Sequence, residues 1–274
     1  MIKGTHDFLE DPRNENVLVY VNGDLVPRNE AKVSVFDAGF CLGDGVWEGI
    51  RLHNGRFAFL EAHLDRLFQG AKAIALDITK SRKKTPSQDP RYNEGGPTIV
   101  IIAEHKRVDR AARESGIELY TCHVRRSRPD VQDPKINSHS KLNCILAMIQ
   151  AIAAGADEAL MLDPDGFVST CNATNFFIVR RGEVWTSTGQ YCLNGITRAQ
   201  VIDICRAHEI PVFEKEFTLL EVYDADESFV TGTFGGLTPV HSVDGRTIGS
   251  GELGDMTRRL MDLYRARVEG DPRR

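Results

Sequence analysis

Two glycine-bearing turns, each set beside an apolar run, place the tightest limit on how this chain can fold. The first is Leu193-Asn194-Gly195-Ile196-Thr197-Arg198, which leads into the helix-like run Ala199-Gln200-Val201-Ile202-Asp203-Ile204-Cys205-Arg206. A turn that opens a helix leaves free N–H groups and the positive end of a dipole facing whatever sits there. The second follows the apolar strand Glu227-Ser228-Phe229-Val230 and reads Thr231-Gly232-Thr233-Phe234-Gly235-Gly236-Leu237-Thr238-Pro239. Its hydroxyls and unobstructed amides can ring a phosphate or a carboxylate. Taken alone, Gly195 reads equally well as a plain turn glycine before a helix.

Between and before these turns the chain alternates strand and helix signals. Val17 to Val26 carries two apolar runs around Asn22-Gly23, a hairpin signature. Phe57-Ala58-Phe59-Leu60 reads as a strand, and Leu60 to Ala71 as a helix with Leu60, Leu64, Leu67 and Phe68 on a core face and Arg66 solvated or salt-bridged. Lys80 to Pro97 is polar, basic and rich in Pro and Gly, hence a loop. The unbroken apolar run Thr98 to Ala103 predicts a strand buried on both faces, and Ile117 to Val124 a further strand. An Ala-rich helix is predicted from Ile145 to Ala154 with Gly155 as its C-cap. Strands Ala159 to Leu162 and Asn175 to Val179 are predicted to flank the hairpin Asp163-Pro164-Asp165-Gly166, and Arg181-Gly182 turns into Glu183-Val184-Trp185.

Read together with Gly43-Asp44-Gly45-Val46-Trp47-Glu48-Gly49-Ile50-Arg51, the two cradles resemble segments of the class IV, fold type IV, pyridoxal-phosphate aminotransferases. That group holds branched-chain and D-amino acid aminotransferases, aminodeoxychorismate lyases and (R)-amine transaminases. Ala156-Asp157-Glu158-Ala159-Leu160 and Val243-Asp244-Gly245-Arg246 extend the resemblance, which covers about Val19 to Asp77 and about Ile136 to the C-terminus. It implies an α/β, two-domain (α+β) D-amino acid aminotransferase-like fold. A small N-terminal domain over residues 1–126, a connection over 127–135 and a cofactor-binding domain over 136–274 would enclose a cleft. Members of the family place one more helix and strand between the equivalents of Ile78 and Ser81, so the N-terminal domain is expected to lack that unit after residue 80.

The resemblance also implies a set of site residues. Arg51 would give a charge-assisted bond to the phosphate of pyridoxal 5'-phosphate, Ile196 and Thr197 helix-start amides and a hydroxyl, and Thr233 a further hydroxyl. Phe234 and Gly235 would offer amides to a substrate carboxylate, and Trp47 and Phe40 either line an apolar pocket or belong to the core. At two positions the chain departs from the family. Counting back from Asp157-Glu158-Ala159 puts the lysine that relatives link to the cofactor at Asn137, and an asparagine cannot form an imine. Lys141 is the expected substitute, because residues four apart share a face if the helix has begun by Asn137. Lys135 is the second candidate, on an extended segment, and a chain with no linking lysine is the third reading. The glutamate with which relatives hold the pyridine nitrogen falls on Thr170, a neutral hydroxyl that makes the cofactor a weaker electron sink.

The implied function is exchange of an amino group between an amino acid, branched-chain ones included, and a 2-oxo acid. The alternatives are a catalytically impaired relative that binds cofactor or another subunit, and a lyase-like or (R)-amine activity. A homodimer is expected, with partner residues completing the cleft. The chain of 274 residues is long enough for a large core, and its 41% hydrophobic and 27% charged residues are ordinary for a globular protein. A net charge of −5 argues against a nucleic-acid surface, and the absence of a long apolar run or signal-like N-terminus predicts a cytoplasmic protein without membrane spans. Its six cysteines show no metal-ligand spacing and are expected to be buried and reduced.

Overall fold

The computed structural model of the chain describes residues 10–78, 89, 96–106 and 115–270. Strands β1 (Leu18–Val21) and β2 (Asp24–Pro27) form the expected hairpin, with Asn22 and Gly23 at φ of 52° and 115°. After a short helix, α1 (Ala38–Leu42), the chain makes the small ribbon β3 (Leu52–His53) and β4 (Arg56–Phe57) and enters helix α2 (Leu60–Ala73). The strand expected over Phe57 to Leu60 therefore ends at Phe57. Phe59 takes a left-handed φ of 54° that turns the chain into the helix.

The buried face of α2 is His63, Gly70 and Ala71, and Phe68, expected in the core, stays exposed. Helical spacing alone could not locate this face, because α2 packs on the segment before Arg51. A Cβ at Gly70 would lie 3.2 Å from Val46 Cγ1, so glycine lets the two backbones approach. The run Thr98 to Ala103 contributes only β5 (Val100–Ile102), and all its side chains are exposed. It pairs with β1 in the order β2-β1-β5, at the edge of that sheet among the described residues, which corrects the expectation of two buried faces. Most of the loop expected over Lys80 to Pro97, and with it the helix–strand unit expected to be missing after residue 80, lies outside the described residues.

The remainder is built on a nine-stranded mixed sheet. In chain order its parts are β6 (Ile117–Thr121), α3 (Pro129–Gln132), α4 (Leu142–Ala154), β7 (Glu158–Leu162), β8 (Val168–Cys171), β9 (Asn175–Arg180) and β10 (Glu183–Thr186). They continue with α5 (Ile196–Ala207), β11 (Val212–Glu214), α6 (Leu219–Tyr223), β12 (Glu227–Gly232), β13 (Gly236–Val243), β14 (Arg246–Thr247) and α7 (Asp255–Gly270). The strand order is β11-β10-β9-β12-β13-β6-β7-β8, with β14 on β13. The pairs β10/β11, β13/β6 and β6/β7 are parallel. Thus β6, which precedes residue 126, is hydrogen-bonded into the middle of the C-terminal sheet.

Side-chain alternation splits the core between the two faces of the sheet. Phe176 and Ile178 of β9 join a cluster with Phe217 and Val222, while Phe177 and Val179 join one with Val201 of α5 and Leu260 of α7. Phe177 and its cross-strand partner Phe229 stack at 4.9 Å between centroids. Ala147 and Ala151 of α4 pack against Ala159 and Met161 of β7, and Gly155, at φ 82°, caps the helix as expected. The turn Asp163 to Gly166 leads into β8 and only then to β9; β8 escapes the sequence pattern because Val168-Ser169-Thr170-Cys171 lacks apolar alternation. All six cysteines are free: Cys122, Cys171, Cys192 and Cys205 are buried, Cys144 is partly buried, and Cys41 is exposed, contrary to the expected burial. Among the described residues no helix is long and apolar enough to cross a membrane.

Candidate functional site

Both cradles form, and Asn175 joins them. Gly195 is the N-cap of α5 and, lacking a side chain, provides no side-chain cap to the first-turn amides, which belong to Ile196 and Thr197. A Cβ on Gly195 would collide with Oδ1 of Asn175. Asn175 in turn donates from Nδ2 to the Leu193 carbonyl at 2.9 Å, so it fixes the turn that precedes the helix. Thr231 is the cross-strand neighbour of Asn175, so the two side chains share a face of the sheet. Its hydroxyl is buried and has no hydrogen-bond partner among the described residues. Thr233, Phe234 and Gly235 make the turn between β12 and β13, and a Cβ at Gly232 would rest 3.4 Å from Thr174.

The N-terminal elements reach the same place. The Trp47 amide donates to the Asn137 carbonyl at 3.0 Å, His139 N donates to Gly45 O at 2.9 Å, and Val46 pairs with Ser138 as an isolated antiparallel bridge. The His139 ring fills the space beside Gly45, where a Cβ would lie 2.8 Å from Nδ1. Arg51 follows four residues after Trp47, half-buried, and its guanidinium makes no hydrogen bond or ion pair among the described residues. Trp47 and Phe40 are both exposed, so the reading of either as plain core is corrected: neither element around them covers the ring in the single chain.

Asn137 is buried and held from both ends. Its Nδ2 donates to Trp47 O at 2.6 Å and its Oδ1 accepts from Lys141 Nζ at 3.0 Å. The expectation that Lys141 reaches position 137 because a helix has already begun there is not met. Helix α4 starts at Leu142 with Lys141 as N-cap, and residues 134–136 form a turn and bend before Asn137. The lysine arrives by the fold of that segment and the length of its own side chain. Its amine sits 6.0 Å from the centre of the Trp47 ring. Lys135, expected on an extended segment, is exposed within the turn, its backbone amide bonded to Asp133 Oδ1 at 2.9 Å.

Burial pushes the Lys141 amine below the ordinary lysine range; Cys144 opposes this, while Arg126 and Arg66 add to it by charge repulsion. Burial likewise lowers the His139 imidazole, against the pull of Asp37. Arg126 is buried, donating from Nε to Tyr191 O at 3.2 Å and from Nη1 to Cys144 Sγ at 3.1 Å. On the sheet side, Thr170 is buried, and its hydroxyl donates to Thr174 O at 2.7 Å and accepts from Asn175 Nδ2 at 3.3 Å. The sequence alone does not point to Asn175 or Thr231 as parts of the site; the facing pair becomes visible only once β9 and β12 are in register.

A curled mixed sheet with a glycine-opened helix, a Thr-Gly hairpin tip and a half-buried amine between two chain segments defines a fold type IV protein of the aminotransferase class. The amino-transferase class IV family model matches residues 81–243, more than half of the chain. The chain belongs to this family. It is 39% identical to branched-chain-amino-acid aminotransferase-like protein 2 of Arabidopsis thaliana over 94% of its own length and 52% of that protein's. The chain therefore spans about half the length of these first curated relatives. It is 37% identical to a putative branched-chain-amino-acid aminotransferase of Methanocaldococcus jannaschii, covering 90% of this chain and 95% of the relative. Among solved structures, a T.th. branched-chain amino acid aminotransferase complexed with 4-methylvaleric acid superposes with a TM-score of 0.85 at 31% identity, covering 95% of this chain and 96% of that one. A further structure of that T.th. enzyme contains pyridoxamine 5'-phosphate.

Proposed function

We propose that this chain is a pyridoxal-phosphate-dependent aminotransferase that exchanges an amino group between an amino acid and a 2-oxo acid, with branched-chain substrates as the first class to test. The observation that carries the reading is the half-buried Lys141 amine, held at 3.0 Å by Asn137 Oδ1 and depressed by its partial burial, so that it keeps its free-amine form at lower pH than an exposed lysine. The cofactor supplies an aldehyde for that amine and an electron-withdrawing ring. The phosphate end fits the residues present: the uncapped amides of Ile196 and Thr197, the Thr231 hydroxyl without a partner among the described residues, and the Arg51 guanidinium would serve as donors for an anion.

Lys141 would link the cofactor and take up the proton released at the substrate α-carbon, Thr197 and Thr233 would add hydroxyls at the phosphate, and the Phe234 and Gly235 amides would orient the substrate carboxylate. Thr170 has no carboxylate to offer, and its own proton is given to Thr174 O, so it would have only a lone pair available for a cofactor ring nitrogen. On this account proton abstraction is slower than in relatives with a glutamate there, while the lysine link is intact. The chain divides into an N-terminal unit and a C-terminal cofactor unit whose sheet also holds β6. A homodimer is part of the proposal: Leu142, Ile145, Leu146, Ile149 and Ile152 leave an apolar stripe of α4 exposed in the single chain. Six free cysteines fit a reducing, cytoplasmic location. The reading is tested by mixing protein with pyridoxal phosphate, reducing with borohydride and following amino-acid half-reactions by absorbance. Reversible binding with neither adduct nor half-reaction overturns it in favour of an impaired, ligand-binding relative.

A further inference from the structure

A lysine side chain has many rotamers to lose, and the Lys141 amine is ordered by a single neighbour. As N-cap of α4 the residue takes φ −110° and ψ 12°, and among the described residues its Nζ makes one hydrogen bond, to Asn137 Oδ1 at 3.0 Å. Asn137 is itself fixed. It is 7% exposed, its backbone carbonyl accepts from Trp47 N at 3.0 Å, and its Nδ2 donates to the Trp47 carbonyl at 2.6 Å. A carbonyl only accepts and the amine that meets Oδ1 must donate, so the two contacts together set which end of the amide faces Lys141. The Val46/Ser138 bridge and the bond from His139 N to Gly45 O tie the same two segments on the flanking residues. The charged and titratable groups that act on Lys141 come from several elements: Cys144 of α4, Arg126 after β6, Arg66 of α2 and Glu48 before Arg51, with His139 two residues away. Partial burial lowers the amine, Arg126 and Arg66 lower it further, and Cys144 and Glu48 oppose them. The group in direct contact, the Asn137 amide, carries no charge.

We propose that Asn137 is a positioning residue for Lys141: the amide, anchored on the Trp47 backbone, holds the amine in place through a neutral acceptor, so that the nitrogen is fixed without being paired as an ammonium. This rests on the reading of Lys141 as the group that links the cofactor. A free amine has two N–H groups and one lone pair. With one N–H spent on Oδ1, the lone pair is turned away from Asn137 and left for an incoming carbonyl carbon. A carboxylate at position 137 would hold the nitrogen equally well but would favour its charged form, which has no lone pair to give. An apolar residue there would leave the amine free of charge pairing and also free to move.

The test labels the ligand-free full chain with a trace of acetic anhydride, which acylates an amine only in its free form, over a range of pH. Lys141 is read against the exposed Lys135 by peptide mass spectrometry, and the rate of the borohydride-trapped adduct with pyridoxal phosphate is measured separately. Asn137→Asp, which keeps the shape and adds a negative charge, is expected to move the Lys141 labelling midpoint up by about one pH unit, so that labelling below it is about tenfold slower. Asn137→Ala is expected to label Lys141 no more slowly than the wild type and yet to form the adduct about tenfold more slowly, the effect of one lost hydrogen bond on a positioned group. A Lys141 labelling profile unchanged in folded Asn137→Asp, or a wild-type adduct rate in Asn137→Ala, overturns the positioning role. A wild-type chain that forms no adduct with pyridoxal phosphate overturns the cofactor reading instead, and the Asn137→Asp profile still decides whether Asn137 holds the amine.

Discussion

Replacing Gly195 by alanine tests whether the first cradle is set by close approach to Asn175. The added Cβ would run into Oδ1 of Asn175 and lie 3.4 Å from its Cγ. Asn175 is buried and cannot step aside without giving up the 2.9 Å bond to Leu193 O and the 3.3 Å bond to Thr170 Oγ1. If the side chain stays, the cost is that of overpacking, roughly 1–3 kcal/mol. If it moves, a buried donor loses its acceptor, again roughly 1–3 kcal/mol. These are alternative routes, so we expect about 2 kcal/mol in total, a fall in Tm of about 4–8 °C for a chain of this size. Thermal melts of Gly195→Ala, Asn175→Ala and the double variant form a cycle. Because Asn175→Ala removes the obstacle, adding Gly195→Ala to it should cost almost nothing, leaving a coupling of about 2 kcal/mol. Simple additivity of the two single effects would refute the argument that the glycine is there for Asn175.

Two further outcomes follow from burial. Lys141 has its folded-state pKa below the ordinary 10.5, so between those values the unfolded chain binds more protons and stability rises with pH. Denaturant melts should show the wild type gaining stability relative to Lys141→Met as pH rises through the interval just below 10.5, and losing that gain as pH falls; parallel curves would contradict the burial of the amine. Burial pushes the Cys205 thiol up to about 11, whereas Cys41 is exposed. Iodoacetamide under native conditions should modify Cys41 well before Cys205 by peptide mass spectrometry, and equal rates would show that the α5 core opens easily.

The parts of this fold that sequence could specify are those encoded by local chemistry. Asn22-Gly23 and Gly155 demand left-handed backbone, and both turns sit where the residues require. The strands β9, β10 and β12 carry apolar residues that alternate between two covered faces, and they too were legible. What failed depends on neighbours distant in sequence. On α2 the polar His63 is buried while Phe68 is exposed, because Glu48, fifteen residues before the histidine, offers the imidazole a carboxylate. Val100 to Ile102 reads as interior, yet among the described residues it lies at an edge, a property of strand order and not of the strand.

For the candidate site, Arg51, Ile196, Thr197 and Thr233 are proposed from turns and resemblance, whereas the partnership of Thr231 with Asn175 required the register of two strands. The helical offset that points to Lys141 does not exist, since its helix begins at the next residue. Asn137 holds the Trp47 carbonyl and the Lys141 amine at once, using both ends of its amide.

The most direct test of the account is the location of the cofactor link. Purified protein is equilibrated with pyridoxal phosphate, reduced with borohydride, digested, and the modified peptide sequenced by mass spectrometry. We predict a single stoichiometric adduct on Lys141, lost in Lys141→Met with binding of inorganic phosphate retained. An adduct on Lys135 or another lysine, or none at saturating pyridoxal phosphate, would contradict the claim that the half-buried amine beside Asn137 is the reactive group.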